Sequence, residues 1–106
     1  MFVKVAANGS VSLEDKDNFR AFKVVVEGGP ARLEQVRRAL KLNGIAEVQD
    51  QGHAWIYEQA LRKRPEVEGD ATWQGNLGAM IEKARPHGWV DDAKKAIRAH
   101  IEWTEQ

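Results

Sequence analysis

The sequence predicts an α+β fold: an N-terminal antiparallel sheet made of a hairpin and a third strand, one amphipathic helix, a second hairpin, and two C-terminal helices packed on the sheet. Three observations lead there. Residues 2–6 and 11–13 alternate apolar and polar positions, the period of a half-buried strand, and residues 19–27 are rich in β-branched and aromatic side chains. Residues 31–43 switch to a helical period, with Leu33, Val36 and Leu40 on one stripe. The last third carries apolar residues at spacings of three and four, which fit helices. Residues 1–106 are read as a single domain, since the length lies in the usual one-domain range.

Residues 2–6 form the first strand, with Val3 and Val5 on one face. Asn8-Gly9 follows and suits a two-residue type I′ turn, because both residue types tolerate positive φ. Val11 and Leu13 resume the alternation. Residues 19–27 make the strongest strand, rich in β-branched and aromatic side chains, with Phe22, Val24 and Val26 on one face. Gly28-Gly29-Pro30 ends it, and proline suits the first turn of the following helix. Gly44 closes that helix. Leu42 falls off its apolar stripe and offers a small contact point.

Residues 45–49 and 53–57 read as the second hairpin around Asp50-Gln51-Gly52, followed by a short helix over 58–63; one helix over 53–64 is the competing reading. Asp70 is placed as the N-cap of a helix whose stripe runs through Trp73, Leu77, Met80 and Ile81. Arg85-Pro86-His87-Gly88 is a turn. The last helix starts at Asp91 or Asp92 and buries Val90, Ala93, Ile97 and Ile101.

Composition removes several functions. The chain has 16 Lys+Arg, 16 Asp+Glu and no cysteine. A disulfide framework, a cysteine-ligated metal and a thiol nucleophile are therefore excluded. The longest apolar run is Ala54-Trp55-Ile56-Tyr57, far short of a membrane span. Residues 1–5 lack the apolar core of a signal peptide, so a soluble cytoplasmic protein without a membrane partner is expected. Serine occurs only at Ser10 and Ser12, in the first turn, and no nucleophile motif surrounds either. No two histidines have helical ligand spacing, so no metal site and no cofactor are expected, and no catalytic residue is assigned.

The candidate binding residues are Trp89, His100, Trp103 and Tyr57. On the expected last helix, positions 89, 93, 96, 100 and 103 fall on one side, which places His100 between two indoles. Tyr57 would add a donor. Indoles suit contact surfaces because they join a large apolar area to an N–H. Gly75 and Gly78, in an otherwise good helix, would leave a face of small residues. A basic face is expected on the first helix, from Arg37, Arg38 and Lys41.

Three functions compete. The first is a non-catalytic binding or protein-interaction module, with another protein or a second copy as partner, resting on the late tryptophans and the missing catalytic constellation. The second is a nucleic-acid-binding regulator, in which residues 33–57 form a winged-helix-like segment. Residues 20–41 support it, with Arg20, Lys23, Arg32, Arg37, Arg38 and Lys41 against Glu27 and Glu34, a local +4. The zero net charge of the whole chain does not favour it. The third is a small-ligand-binding protein or enzyme with a pocket around His100.

Overall fold

The structure, a computed structural model, describes residues 1–104. Strands β1 (Phe2–Val5) and β2 (Val11–Glu14) form the N-terminal hairpin, and β3 (Lys23–Glu27) lies on the other side of β1. Helix α1 (Leu33–Leu42) follows, preceded by a 3-10 turn at Pro30–Arg32. The second hairpin is β4 (Ala46–Val48) and β5 (His53–Tyr57), with α2 (Glu58–Arg62) directly behind it. Then come α3 (Ala71–Ala84), a 3-10 turn at Arg85–His87, β6 (Val90–Asp91) and β7 (Ala96–Thr104). The fold is α+β, with one seven-stranded sheet in the order β2-β1-β3-β7-β5-β4, and β6 paired to β7 off that path.

Three expectations need correction. The segment expected as the last helix is strand. Ile97 and Ile101 lie four residues apart, which puts them on one face under a helical period and under a strand period alike. The deciding pattern is the alternation Ile97, Ala99, Ile101, Trp103, which are the inward residues of β7, while Ala93 is exposed. Asp91 does cap a turn, as its side chain accepts from the Lys94 N–H at 3.0 Å. That turn bends back through Lys95, at φ +52°, and returns as a strand.

The sheet is mixed rather than antiparallel. β1 and β3 run parallel, because the chain crosses the start of β1 after β2 and re-enters beside Phe2, and β3 and β7 also run parallel. The first hairpin turn is not type I′. Only Gly9 has positive φ, at +88°, while Ala6 N–H donates to Ser10 C=O and Gly9 N–H to Ala6 C=O, both at 2.9 Å. This is a three-residue loop with glycine at its left-handed position.

Apart from Ala96, the buried strand residues of the core lie on one face of the sheet. Val3 pairs beside Val24, which pairs beside Ile101; Ala54 pairs beside Ala99, and Ile56 beside Ile97. Onto that face α1 packs Val36 and Leu40, α2 packs Leu61, and α3 packs Trp73, Leu77 and Ile81. Asp70 caps α3 by accepting from the Trp73 N–H at 3.0 Å, and the Trp73 indole donates to Lys16 C=O at 2.8 Å. The other face has no helix. It carries Phe2, Lys4, Val25, Trp55, Tyr57 and His100, half-buried or exposed. Among the described residues no helix is long and apolar enough to cross a membrane.

The edge strand β2 is covered by side chains rather than by another strand. Glu66 accepts from Leu13 N–H at 2.8 Å, and Arg64 donates to Val11 C=O at 3.0 Å. Unpaired edge groups invite pairing with other chains, and this clamp occupies two of them.

Candidate functional site

β7 is the longest strand, and its two sides are covered differently. Along one side β5 pairs with Ala96 through His100. Along the other, β3 pairs with His100 through Thr104, and β6 pairs with Ala96 and Ile97. Arg98 and Ala99 fall between those two ladders, with no strand partner on that side; Arg98 N–H donates to Trp89 C=O at 2.8 Å. The sheet is therefore notched where β3 has not begun and β6 has ended.

A cavity of about 590 Å³ occupies this notch. Phe19, Arg20 and Phe22, the approach to β3, line one side. His87 and Trp89, the approach to β6, line the other. Ile97, Arg98, Ala99 and His100 lie along its base, and His53 joins them from β5. Asn76, Ala79, Met80, Lys83 and Ala84 of α3 complete it. The volume falls in the usual range for small-molecule sites.

The aromatic groups are set in pairs. The imidazole of His87 stacks on Trp89, with centroids 4.4 Å apart and planes 17° from parallel. Phe19 packs on Trp73 at 5.8 Å, which ties that side of the notch to the core of α3. His53 and His100 face each other at 4.8 Å. Trp89 differs from the other tryptophans. The indoles of Trp55, Trp73 and Trp103 donate to Gln49, Lys16 and Gln51. Trp89 is 46% exposed, and its indole N–H has no acceptor among the described residues.

The charges are one-sided. Arg20, Lys83, Arg98 and all three histidines line the notch, and among the described residues no carboxylate does. Nearby acids are engaged elsewhere. Glu102 pairs with Lys23 at 2.7 Å, and Arg85 gathers Glu82 and Asp92. Asp50 approaches His53 from outside, 3.5 Å from Nδ1. The Gly52 N–H, at 2.8 Å, is the main reason its carboxyl is held below the ordinary carboxylate range; burial opposes this, and His53 adds to it. Arg98 is half-buried, its Nε is fully enclosed, and no hydrogen bond or ion pair holds its guanidinium among the described residues.

Of the candidate binding residues, the notch brings together Trp89 and His100 and leaves out the other two. On a strand, His100 and Trp103 point to opposite faces, so the stripe expected from helical spacing does not exist. Trp103 packs at the edge of the core and donates to Gln51 C=O at 2.7 Å. Tyr57 lies on the open face, where its hydroxyl sits 3.4 Å from Glu47. The basic face of α1 is separate from the notch: Arg37 pairs with Glu34 at 2.6 Å, while Arg38 and Lys41 are exposed.

Residues 33–57, expected to resemble a winged helix, comprise α1, β4 and β5. A wing projects from its domain, whereas β5 lies inside the sheet between β4 and β7, and a strand rather than a helix precedes α1. Of the glycines of α3, a Cβ at Gly75 would meet open space and one at Gly78 would lie 3.6 Å from Nη2 of Arg62, an ordinary contact.

The residues that spacing missed are Arg98, Lys83, Phe19 and Phe22. The alternation about Arg98 was the available signal for its strand, but the notch depends on where β3 and β6 end along β7. Among the described residues no group of three or more histidines or carboxylates could hold a metal ion. A second cavity, of about 550 Å³, lies among the first hairpin turn, the end of α1 and the end of α2, and no aromatic side chain lines it. Comparison with protein-family models, with curated proteins and with solved structures finds no match.

Proposed function

We propose that this protein binds a small molecule in the notch between β3 and β6. The observation that carries this reading is the pairing gap at Arg98 and Ala99, which opens a cavity of about 590 Å³ flanked by Phe22 and Trp89. A partly apolar concavity with a few convergent polar groups is the usual form of a ligand site. The neutral dye N-phenyl-1-naphthylamine tests it. Bound in the notch, the dye should brighten and shift to the blue at one molecule per chain. Ala84→Trp, which puts a large ring into the cavity, should abolish the signal while leaving the circular dichroism unchanged. An unaltered signal in that variant would remove the reading.

A protein partner is the second reading, favoured by the helix-free sheet face with its half-buried Phe2, Trp55 and Tyr57, and by Leu42 at 79% exposure on α1. Light scattering on a size-exclusion column tests self-association. A monomer at every concentration and salt would remove the second copy as that partner.

A further inference from the structure

Resting on the reading of the notch as a ligand site, we infer that its ligand is an oxyanion, carboxylate or phosphate, joined to a flat apolar body. The argument begins with Arg98. The Arg98 side chain is half-buried and its Nε is enclosed without an acceptor, and a buried polar atom left unpaired is costly. Retaining that cation at the base of a cavity makes physical sense if an anion completes it. Arginine suits such a role, since its planar fork meets a carboxylate or phosphate with two parallel hydrogen bonds.

The surroundings point the same way. Arg20 and Lys83 also line the cavity, and neither has a carboxylate partner among the described residues. The chain as a whole is neutral, with 16 cations and 16 anions, so an acid-free lining is a local arrangement and not a reflection of bulk composition. A cation-lined cleft with apolar sides concentrates anions. The body of the ligand is set by the flanks. Phe22 faces the cavity from one side, and the Trp89–His87 stack presents a flat surface on the other, which suits a planar apolar group. A nucleic-acid strand would need a longer basic track, and the cations of α1 lie outside this cavity.

The test is displacement of N-phenyl-1-naphthylamine by three compounds with one ring system: 1-naphthoate, 1-naphthyl phosphate and neutral 1-naphthol. At least one anion should displace the dye at a concentration roughly ten-fold lower than 1-naphthol, as a charge-assisted hydrogen bond allows. The better of the two anions identifies the group. Arg98→Gln should erase that advantage. Lys83→Gln, at an exposed helix position where folding is not at risk, should reduce it several-fold and weaken its dependence on salt. Equal displacement by all three compounds would overturn the anion inference while leaving the ligand site standing. Failure of the dye itself to bind would overturn both.

Discussion

His53 and His100 stand opposite each other on β5 and β7, with ring centroids 4.8 Å apart, and Lys23 on β3 continues the same row across the sheet. Three basic residues thus lie side by side, and two of them, His53 and His100, line the notch. Glu102 and Asp50 pair with the two ends of the row, Lys23 and His53, and His100 in the middle has no ion pair among the described residues.

This row predicts opposite effects for two substitutions at one exposed position. His100→Glu puts a carboxylate between Lys23 and His53 and should stabilise the fold by about 0.2–1 kcal/mol, the range of cross-strand charge pairs. His100→Lys should destabilise it by a similar amount. Thermal unfolding at neutral pH checks both signs. His100→Glu should also weaken 1-naphthoate binding, which separates the effect on the fold from the effect on the site.

The clamp on β2 predicts a pH dependence. Burial pushes the Glu66 carboxyl up, but the Leu13 N–H at 2.8 Å, its own backbone N–H and Arg64 together hold it below its ordinary value of about 4.5. A depressed carboxyl stabilises the fold fully above its unfolded value and loses that contribution as pH falls through the folded one. Glu66→Gln should therefore cost about 1 kcal/mol near neutrality and almost nothing below the folded value. Urea unfolding at both pH values checks this. A constant difference would mean that the charge of Glu66 has no part in the clamp.

Gly28 predicts a backbone effect. It sits at φ +126°, and a Cβ there would lie 2.6 Å from Cδ of Arg32, whose guanidinium donates to Glu27 C=O and, at 3.2 Å, to Ala7 C=O. Gly28→Ala combines an unfavourable φ with that clash and should cost roughly 1–3 kcal/mol. The neighbouring Gly29→Ala, at φ −96°, should be nearly neutral by the same measurement.

The placement of β7 predicts the order of hydrogen exchange. It is bordered by β3 and β6 on one side and β5 on the other, so the amides of Ile97, Ala99 and Ile101 should be among the slowest in the chain. Exchange at these three amides as fast as at the exposed residues of the turn over 92–95 would argue that β7 does not stay paired in solution.

These features divide by how local their causes are. The second hairpin, α2 after it, and the Asp70 cap of α3 could be read from single residues, because turn and capping chemistry acts over a few positions. The last strand could not, because Ile97 and Ile101 satisfy both periods and only tertiary pairing with β3 and β5 chooses between them. Trp89 and His100 were legible as unusual residues, but the grounds for grouping them did not survive the change from helix to strand. In the sequence Arg98 is one more charged residue, since its meaning comes from a gap between two ladders that no local pattern encodes.

The central claim is that the notch, and not the open sheet face, receives the ligand. Its most direct test is the amide and indole N–H spectrum of the labelled protein during titration with 1-naphthoate. The account predicts that the Trp89 indole and the Arg98 and Ala99 amides move together and saturate, while the Trp55 and Trp103 indoles stay in place. Shifts centred on Trp55 and Tyr57, with Trp89 unmoved, would contradict it.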